Sequence, residues 1–339
     1  MAETVSHSVP VPVPEQQRKE ESTSEPGGSL ISYVLPVYNE VDGIRRFHDE
    51  LSAATATRPE LTYEFLYVND GSSDGSLAVL RELARSDPRV HVLDFARNFG
   101  HQIAITAGID HASGDAVVVM DTDLQDPPEV SLRMIDEWSS GAEVVSARRR
   151  TRRDTWFKRL TAHGYYRVLR RSAEVDIPVD TGVFRLLDRR AADELRGFRE
   201  RSRFIRGIVA SMGFEQAEVL FDREERASGE TKYPMRKMVR LAADGVTSFS
   251  TVPLKLITRM GFASLALALL GILYSMTLRI FFPQVTVSGW TMLMVAMLFL
   301  GGVQMLSLGV IGSYVGRIYS EVQARPLYIV RDVIRHDRE

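Results

Sequence analysis

Short apolar runs alternate with helical patterns from Leu30 to about Phe221. This alternation is typical of βαβ units and predicts an α/β fold with a mostly parallel sheet. Five apolar runs are predicted as strands: Leu30–Leu35, Glu64–Val68, Val90–Leu93, Ala116–Met120 and Glu143–Ala147. Four stretches with helical spacing lie between them: Ile44–Ala56, Ser76–Ser86, His101–Ala112 and Pro128–Ser139.

The last third of the chain contains two long apolar segments, Gly261–Phe282 and Trp290–Val315. Each is long enough to cross about 30 Å of hydrocarbon, so we predict two transmembrane helices. Arg279 lies near enough to the end of the first segment to reach the membrane surface. The alternative is a pair of core helices in a soluble domain, but such helices rarely stay apolar on every face over this length.

Positive charge flanks this pair of segments and is absent from the connector PQVTVSGW between them. Because positive charge concentrates on the cytoplasmic side of a membrane, we expect both ends of the pair to face the cytoplasm. The flanking residues are Lys255, Arg259, Arg317, Arg325 and Arg331.

The chain divides into five predicted regions. Residues 1–28 are rich in Pro, Glu and Ser, which predicts a disordered tail, and they lack the apolar stretch of a secretory signal. An α/β domain over 29–233 is expected on the cytoplasmic face of the cell membrane. It is followed by a juxtamembrane amphipathic helix over 234–260, two spans over 261–316 and a cytosolic tail over 317–339.

Two segments combine basic and apolar residues as interfacial helices do. The stronger is 152–171, and the weaker is Pro234–Thr247. Such patterns suit a surface of anionic lipid. The alternative for each is a helix that packs on the domain and keeps a solvated basic face.

Composition and motif content narrow the function. Among 339 residues, 42 Lys+Arg against 44 Asp+Glu give a net charge of -2, so nothing favours a nucleic-acid partner. The absence of Cys excludes disulfides, thiolate zinc sites and iron–sulfur clusters. The sequence also lacks the glycine-rich motif of dinucleotide redox enzymes, the P-loop, and the H-E-x-x-H motif of zinc hydrolases.

Acidic and amide side chains follow three predicted strands, in PVYNE at 36–40, NDGSSD at 69–74 and DTDLQD at 121–126. In open α/β sheets, ligands bind beyond the carboxyl ends of the strands. Asp121 and Asp123 come directly after a buried strand, and carboxylate oxygens suit Mg²⁺ or Mn²⁺ bound to substrate phosphates. We therefore expect a metal–diphosphate site here.

Each loop taken alone has a simpler interpretation. Asp-rich turns are common, and Asn39 is suited to cap the helix that begins near Asp42. Asp70 is suited either to a local turn or to accepting hydrogen bonds from a nucleobase or ribose. The combination of three loops favours the site.

The motifs above, with DTGVFRLLDR at 180–189 and REERASGETKYP at 223–234, resemble those of family 2 glycosyltransferases with the GT-A fold. Within that family the chain resembles the polyisoprenyl-phosphate glycosyltransferases, which include dolichyl-phosphate mannose synthases and bactoprenol glucosyltransferases. The resemblance extends over about residues 30–330 and includes the two C-terminal segments.

The resemblance implies roles for particular residues. Asp121 and Asp123 would hold the metal on the diphosphate, and Gln125 would reach toward the sugar-phosphate region. The nucleotide-sugar pocket would be lined by Pro36, Tyr38, Glu40, Asp70 and Thr122. Basic residues would face the phosphates of the two substrates, as Arg forks do: Arg148, Arg159, Arg223, Arg226 and Lys232.

The chain departs from the family pattern at Val183, where similar enzymes often carry an acid. Asp180 is then the nearest carboxylate in that motif and the candidate for catalysis. A strong base is unnecessary if the nucleophile is a phosphate monoester, because its second pKa of about 6 leaves it anionic at neutral pH.

The sequence therefore predicts a membrane-anchored, metal-dependent, inverting glycosyltransferase that transfers one sugar from UDP-glucose to a polyprenyl phosphate. GDP-mannose is the alternative donor. A processive polysaccharide synthase is disfavoured because the Q-x-x-R-W motif is absent, and a noncatalytic scaffold because the acidic loops are present. The family also suggests a homo-oligomer, although Gly301, Gly302, Gly309 and Gly312 are equally suited to packing the two spans within one chain.

Overall fold

The computed structural model describes residues 28–149, 181–201, 203–221, 252–281 and 289–336. Residues 1–27 of the predicted tail, the basic segment 152–171 and the segment 234–247 lie outside the described residues. So do five of the predicted site residues: Arg159, Asp180, Arg223, Arg226 and Lys232.

The α/β part contains seven described strands: β1 (Leu30–Val37), β2 (Thr62–Asn69), β3 (Val90–Phe95), β4 (Ala116–Val119), β5 (Val144–Arg149), β6 (Thr181–Asp188) and β7 (Gln216–Phe221). Its described helices are α1 (Ile44–Thr55), α2 (Ser76–Ser86), α3 (His101–His111), α4 (Pro128–Ser139), α5 (Arg189–Gly197) and α6 (Ile205–Ser211). Two long helices follow, α7 (Val252–Phe281) and α8 (Trp290–Val322), and then strand β8 (Val330–Ile334). The five strands and four helices predicted between residues 30 and 147 are present, with ends within two residues of those expected. The two predicted spans form longer helices, because α7 begins nine residues before Gly261 and α8 ends seven residues after Val315.

The described strands form one sheet in the order β7-β5-β6-β4-β1-β2-β3-β8. The neighbours β3, β2, β1 and β4 are parallel. Strand β6 runs antiparallel to both β4 and β5, so β4 and β5 point in the same direction, and β7 is parallel to β5. The predicted α/β fold with a mostly parallel sheet is confirmed.

Helices bury both faces of the central strands, which explains why β1 and β4 are apolar along nearly their whole length. On one face Tyr33 packs with Phe47 and the residues of α1, α2 and α4. On the other face Val34 packs with Ile105 and the residues of α3, α5 and α6. A Cβ on Gly108 would lie 2.2 Å from a methyl carbon of Val34, so glycine is required for α3 to approach β1 this closely.

The C-terminal segment is part of the sheet. Strand β8 pairs antiparallel with β3, and the ring of Tyr328 stacks on Phe95 with centroids 5.4 Å apart. Helix α8 runs to Val322 and β8 begins at Val330, so a short connection joins this helix to the sheet. The interpretation of 317–339 as a tail therefore needs correction, because its pairing partner lies more than 200 residues earlier and no local pattern indicates it.

Helices α7 and α8 expose apolar side chains. Within them, Ile257–Leu278 and Phe299–Val322 are long and apolar enough to cross a membrane. Phe262 is 70 % exposed and Met305 is 69 % exposed. This exposure argues against the alternative of buried core helices. Helix α7 already begins at Val252, so residues 252–260 of the predicted juxtamembrane helix are continuous with the first predicted span.

The glycines of α8 do not pack the two helices together in the described structure. A Cβ built on any of them would have no neighbouring atom within 4 Å: Gly301, Gly302, Gly309 and Gly312.

Candidate active site

Four loops leave the edge of the sheet formed by the carboxyl ends of the parallel strands. They are loop 1 (residues 38–43, after β1), loop 2 (70–75, after β2), loop 3 (96–100, after β3) and loop 4 (120–127, after β4). From β1 the chain adds β2 and then β3 on one side of the sheet. It then crosses to the other side of β1, where it adds β4. The sheet therefore has its topological switch point between β1 and β4, where open α/β sheets bind ligands.

Asn39 connects loops 1 and 2. Its backbone N–H donates to Ser72 Oγ at 3.0 Å, and its side-chain Oδ1 accepts from the backbone N–H of Ser73 at 2.8 Å. Asn39 has φ 55°, a left-handed conformation that asparagine tolerates better than most residues. The side chain thus bridges two loops and does not cap α1, whose N-cap is Gly43.

The other predicted residues of loop 1 lie at the surface of the edge. Tyr38 is 50 % exposed. Glu40 is also exposed, and its backbone N–H donates to Ser76 Oγ at 3.0 Å. Pro36 is buried in β1, and its carbonyl accepts from Thr122 Oγ1 at 3.2 Å. Loop 4 is thereby anchored to the end of β1.

Asp70 is buried and holds loop 3. Its two carboxylate oxygens accept from the backbone N–H groups of Phe99 at 2.7 Å and Gly100 at 2.9 Å. Burial raises the pKa of Asp70, while these two hydrogen bonds and the nearby His101 partly oppose the rise. Loops 2 and 3 are in close contact, because a Cβ on Gly71, which has φ +64°, would lie 2.4 Å from the backbone of loop 3. The carboxylate therefore organises the edge itself.

His101, the first residue of α3, contacts the first predicted metal ligand. Its Nε2 lies 2.8 Å from Asp121 Oδ1. Burial alone would lower the pKa of His101, but the hydrogen bond to Asp121 and the charges of Asp121, Asp70 and Asp123 raise it above its ordinary value. Three carboxylates therefore create a negative field at this edge, and His101 offsets part of it.

Loop 4 has a tight local structure. The backbone N–H of Gln125 donates to Asp123 Oδ1 at 3.1 Å, and Leu124 between them has φ 57°. Gln125 is buried, whereas Asp121 and Asp123 are partly exposed. The loop thus presents two carboxylates to the outside and encloses the amide.

The donor set of this edge fits a divalent cation that also binds a substrate. Within the described ranges no group of three or more His, Asp or Glu side chains could hold a metal by itself. Asp121 and Asp123 supply two carboxylates at an accessible position, which is the number that Mg²⁺ commonly takes from a protein when phosphates and water complete its coordination.

The basic residues are only partly described. Arg148 lies at the carboxyl end of β5, at the same edge as loop 4, and its Nη1 forms an ion pair of 2.9 Å with Glu218. Val183 is partly buried and packs with the apolar residues beneath α3, α5 and α6. It contributes no acidic group to the edge.

Sequence reasoning missed the contribution of the third strand. Loop 3 supplies the two amides that hold Asp70 and leads directly into His101. The signal was available, because β3 is a parallel strand and its carboxyl end must lie at the same edge as the others. The loop after it carries no carboxylate, and a search for acidic side chains passes over it.

The chain is similar in sequence to known glycosyltransferases. The family described as Glycosyl transferase family 2 matches residues 32–196. The uncharacterized glycosyltransferase YkcC of Bacillus subtilis is 48 % identical over 301 residues, covering 88 % of this chain and 93 % of that protein. The SfII prophage-derived bactoprenol glucosyl transferase of Shigella flexneri is 39 % identical over 302 residues, covering 89 % and 97 %.

Among solved structures, the mannosyltransferase PcManGT of Pyrobaculum calidifontis, in complex with GDP-Man and Mn²⁺, is 16 % identical with a TM-score of 0.41. The match covers 83 % of this chain and 87 % of that one. Because the family model matches residues 32–196 and relatives that are 39–48 % identical cover most of this chain, the chain belongs to glycosyl transferase family 2.

Proposed function

We propose that this chain transfers one sugar from UDP-glucose to a polyprenyl phosphate, with inversion at the anomeric carbon. A phosphate oxygen of the acceptor forms the new bond to the anomeric carbon, and the bond from that carbon to the β-phosphate oxygen breaks to release UDP. The observation that carries the proposal is the group of acidic residues at the carboxyl ends of β1, β2 and β4, next to the topological switch point. The same chain has two exposed apolar helices, which strands of this one sheet precede and follow. Relatives named as bactoprenol glucosyl transferases support the acceptor and sugar classes.

The donor nucleotide is assigned to the β1–β2 side of the edge. Loops 1 and 2 are fixed to each other through Asn39, and Tyr38 and Glu40 are exposed beside them. We assign the pocket lining to these residues with Pro36, Asp70 and Thr122. The hydrogen bonds between the loops mean that the pocket is largely preformed, so donor binding requires little ordering of the chain.

Asp121 and Asp123 would hold Mg²⁺ or Mn²⁺ on the donor diphosphate. A bound divalent ion supplies Lewis-acid stabilisation of the charge that develops on the leaving group. His101 fixes one oxygen of Asp121 and is a positioning residue in this scheme. Gln125, whose backbone holds Asp123, is assigned to the sugar-phosphate region.

The acceptor needs little help from a base. A phosphate monoester has a second pKa of about 6 and is largely dianionic at neutral pH. Orientation of that anion against the sugar can then supply a large part of the rate. Val183 at the family's acidic position is compatible with this chemistry, and Asp180 is the carboxylate that we assign nearest to the reaction.

The connectivity supports a two-span arrangement with both helix ends on one side of a membrane. The α/β domain precedes α7, whereas β8 follows α8 and pairs with β3 of the same domain. Two crossings return the chain to its starting side, but one crossing would not. The flanking Lys and Arg residues favour the cytoplasmic side, so we place the catalytic domain and both termini in the cytosol of a cell with a polyprenyl carrier lipid.

The experiment is a transfer assay with the purified full chain in detergent, Mg²⁺ and a polyprenyl phosphate. Radiolabelled UDP-glucose and GDP-mannose are supplied in parallel, with and without EDTA, and label is counted in the organic extract. We expect label from UDP-glucose that EDTA removes.

Each other result changes a defined part of the proposal. If label came from GDP-mannose alone, mannose would replace glucose as the proposed sugar. If labelling persisted in EDTA, the proposed requirement for a metal would be wrong. Labelled polymer in place of a single-sugar lipid would indicate a processive enzyme. If neither donor gave label, the proposed reaction would be contradicted. The anomeric configuration of the product, read from the NMR coupling of its anomeric proton, tests inversion.

A further inference from the structure

Two arginines line the same recess. The recess lies on the β6 side of β4, whereas loops 1 and 2 lie on its β1 side. Arg185 lies on β6 opposite Val119 of β4, and Arg206 lies on α6. The recess between them is also lined by Gln102, Ile105, Val183 and Phe204.

Neither guanidinium has an acidic partner among the residues that the structure describes. Arg185 is 3 % exposed, and within the described ranges its donors reach the backbone carbonyls of Val183 at 3.4 Å and Gly182 at 3.1 Å. The Nε of Arg206 is buried and makes no hydrogen bond. Burial, and to a smaller extent the charge of Arg206, lowers the pKa of Arg185 to about 10. The Arg206 guanidinium also lies over the Phe204 ring, 5.9 Å from its centroid. Two neighbouring cations that no described carboxylate pairs with would be stabilised by an anion between them.

The recess adjoins the proposed reaction centre. Val119, at its wall, is two residues before Asp121. Gln102 follows His101, whose ring contacts Asp121, and Gln102 Oε1 accepts from the backbone N–H of Ile205 at 3.3 Å. A group bound in the recess would therefore approach Asp121 from the side of β6, opposite the side assigned to the nucleotide.

The segment that leads into Phe204 at the recess also contacts the end of the second apolar helix. The segment between α5 and α6 contacts α8 through Arg201, whose backbone N–H donates to the Glu321 carboxylate at 2.9 Å. The Arg201 side chain donates to the Ser320 carbonyl at 3.4 Å. A lipid that lies along α8 would reach this segment with its polar end.

The charge of the ligand follows from the chemistry of the two side chains. Each guanidinium carries five N–H donors in a planar fork that matches phosphate oxygens. A phosphate monoester carries a charge of about -1.5 to -2 at pH 7, which two arginines neutralise. The donor diphosphate is assigned to the carboxylate-held cation across β4, so the monoester of the acceptor is the phosphate left for this recess.

We infer that Arg185 and Arg206 form the subsite for the terminal phosphate of the lipid acceptor. The inference rests on the proposed function and adds residues that the sequence motifs did not assign to the acceptor. In this arrangement the two guanidiniums orient the attacking phosphate, and the apolar wall beside them excludes water from it.

The kinetic test uses Arg206→Gln, because Arg206 is the less buried of the two. Arg190→Gln is the matched control, since it removes the same charge from a side chain that is 75 % exposed on α5. For Arg206→Gln we expect KM for polyprenyl phosphate to rise about tenfold or more, with KM for the donor within about twofold of wild type. Arg206→Lys, which keeps the charge and loses the fork, should be intermediate. An unchanged acceptor KM, or a rise confined to the donor KM, would overturn the inference.

A binding measurement separates this inference from the proposed reaction. Thermal unfolding of the full chain is followed with geranyl phosphate and, separately, with geraniol. Geranyl phosphate should raise the unfolding temperature of wild type and Arg190→Gln but not of Arg206→Gln, and geraniol should have no effect. Loss of transfer with all donors, together with this pattern, would refute the reaction and retain the phosphate subsite. An equal shift in all three proteins, or no shift in wild type, would refute the subsite.

Discussion

The two sides of β4 differ in how completely their polar groups are satisfied within the chain. On the side of β1, β2 and β3, Asp70 accepts two backbone N–H groups and Asn39 bridges loops 1 and 2. On the side of β6, Arg185 and Arg206 lie together without a carboxylate partner in the described part of the chain.

This difference indicates which substrate the folded chain is prepared for. Hydrogen bonds among loops 1, 2 and 3 hold the side to which we assign the donor, called the donor side below, in place before any ligand arrives. This reduces the ordering that binding requires. On the β6 side no described carboxylate pairs with Arg185 or Arg206, which is why we assign an anionic substrate to that side. Substitutions on the two sides should therefore separate donor binding from acceptor binding.

The largest effect is expected at loop 4, where the two sides meet. Asp121→Asn and Asp123→Asn each remove one negative ligand from the proposed cation, and we expect transfer to fall about 1,000-fold or more. Asp136→Asn is the matched control on the surface of α4, where Asp136 pairs with Arg58. Circular dichroism and membrane extraction check that the variants fold. Transfer within tenfold of wild type in both variants would contradict the assignment of the metal ligands.

The next largest effect is expected for Asp70→Asn, which should weaken donor binding as Arg206→Gln should weaken acceptor binding. An amide at Asp70→Asn has one oxygen and one NH₂ group, so it cannot accept from both Phe99 and Gly100. One partly buried backbone N–H then loses its partner and loop 3 shifts. We expect KM for the donor to rise about 10- to 100-fold with the acceptor KM within about twofold, measured by varying each substrate in turn. A rise in both constants would show that the two sides are not independent.

Much of this edge could be predicted from the sequence, because apolar runs locate β1 to β5 and the acidic residues directly follow three of those strands. Parallel strands bring their carboxyl ends together, so Asp70 and Asp121 were expected to converge without any knowledge of packing.

The remaining features depend on contacts between distant parts of the chain. Strand β8 completes the sheet only because β3 offers it an edge, and five residues are too few for a strong local signal. His101 becomes relevant because α3 begins beside loop 4. Arg185 and Arg206 come together across two elements, and single arginines in a sequence rich in arginine give no indication of such a meeting.

A smaller effect is expected where the C-terminal segment supports the donor side. The Tyr328 hydroxyl donates to Asp110 Oδ2 at 2.8 Å, and the backbone N–H of Ala96 in loop 3 donates to the Ile329 carbonyl at 3.0 Å. Tyr328→Phe removes only the hydroxyl and should lower the free energy of unfolding by about 0.5–1.5 kcal/mol, measured by denaturation in detergent. Tyr319→Phe, on an exposed side chain of α8, is the control. Both substrate KM values should stay within about twofold of wild type, because the backbone contact to loop 3 remains.

The smallest effect is a pH dependence of stability that originates beneath the donor side, away from the site. His48 of α1 is buried, with Nδ1 3.1 Å from the Tyr67 hydroxyl and Nε2 3.5 Å from Asp87. Burial lowers the pKa of His48 below its usual 6.5; the charge of Asp87 opposes this, and that of Arg89 adds to it.

In the folded chain His48 is therefore neutral at a pH where the unfolded chain takes up a proton. Its stabilising contribution is present above pH 6.5 and is lost as the pH falls through the lower pKa of the folded state. The loss is at most about 1.4 kcal/mol for each pH unit in that window. Unfolding measured between pH 5 and 8 should show a shallower slope for His48→Gln than for wild type, and parallel slopes would contradict the assignment. Asp87, whose pKa is lowered from 3.8, titrates below this range and so does not contribute to the comparison.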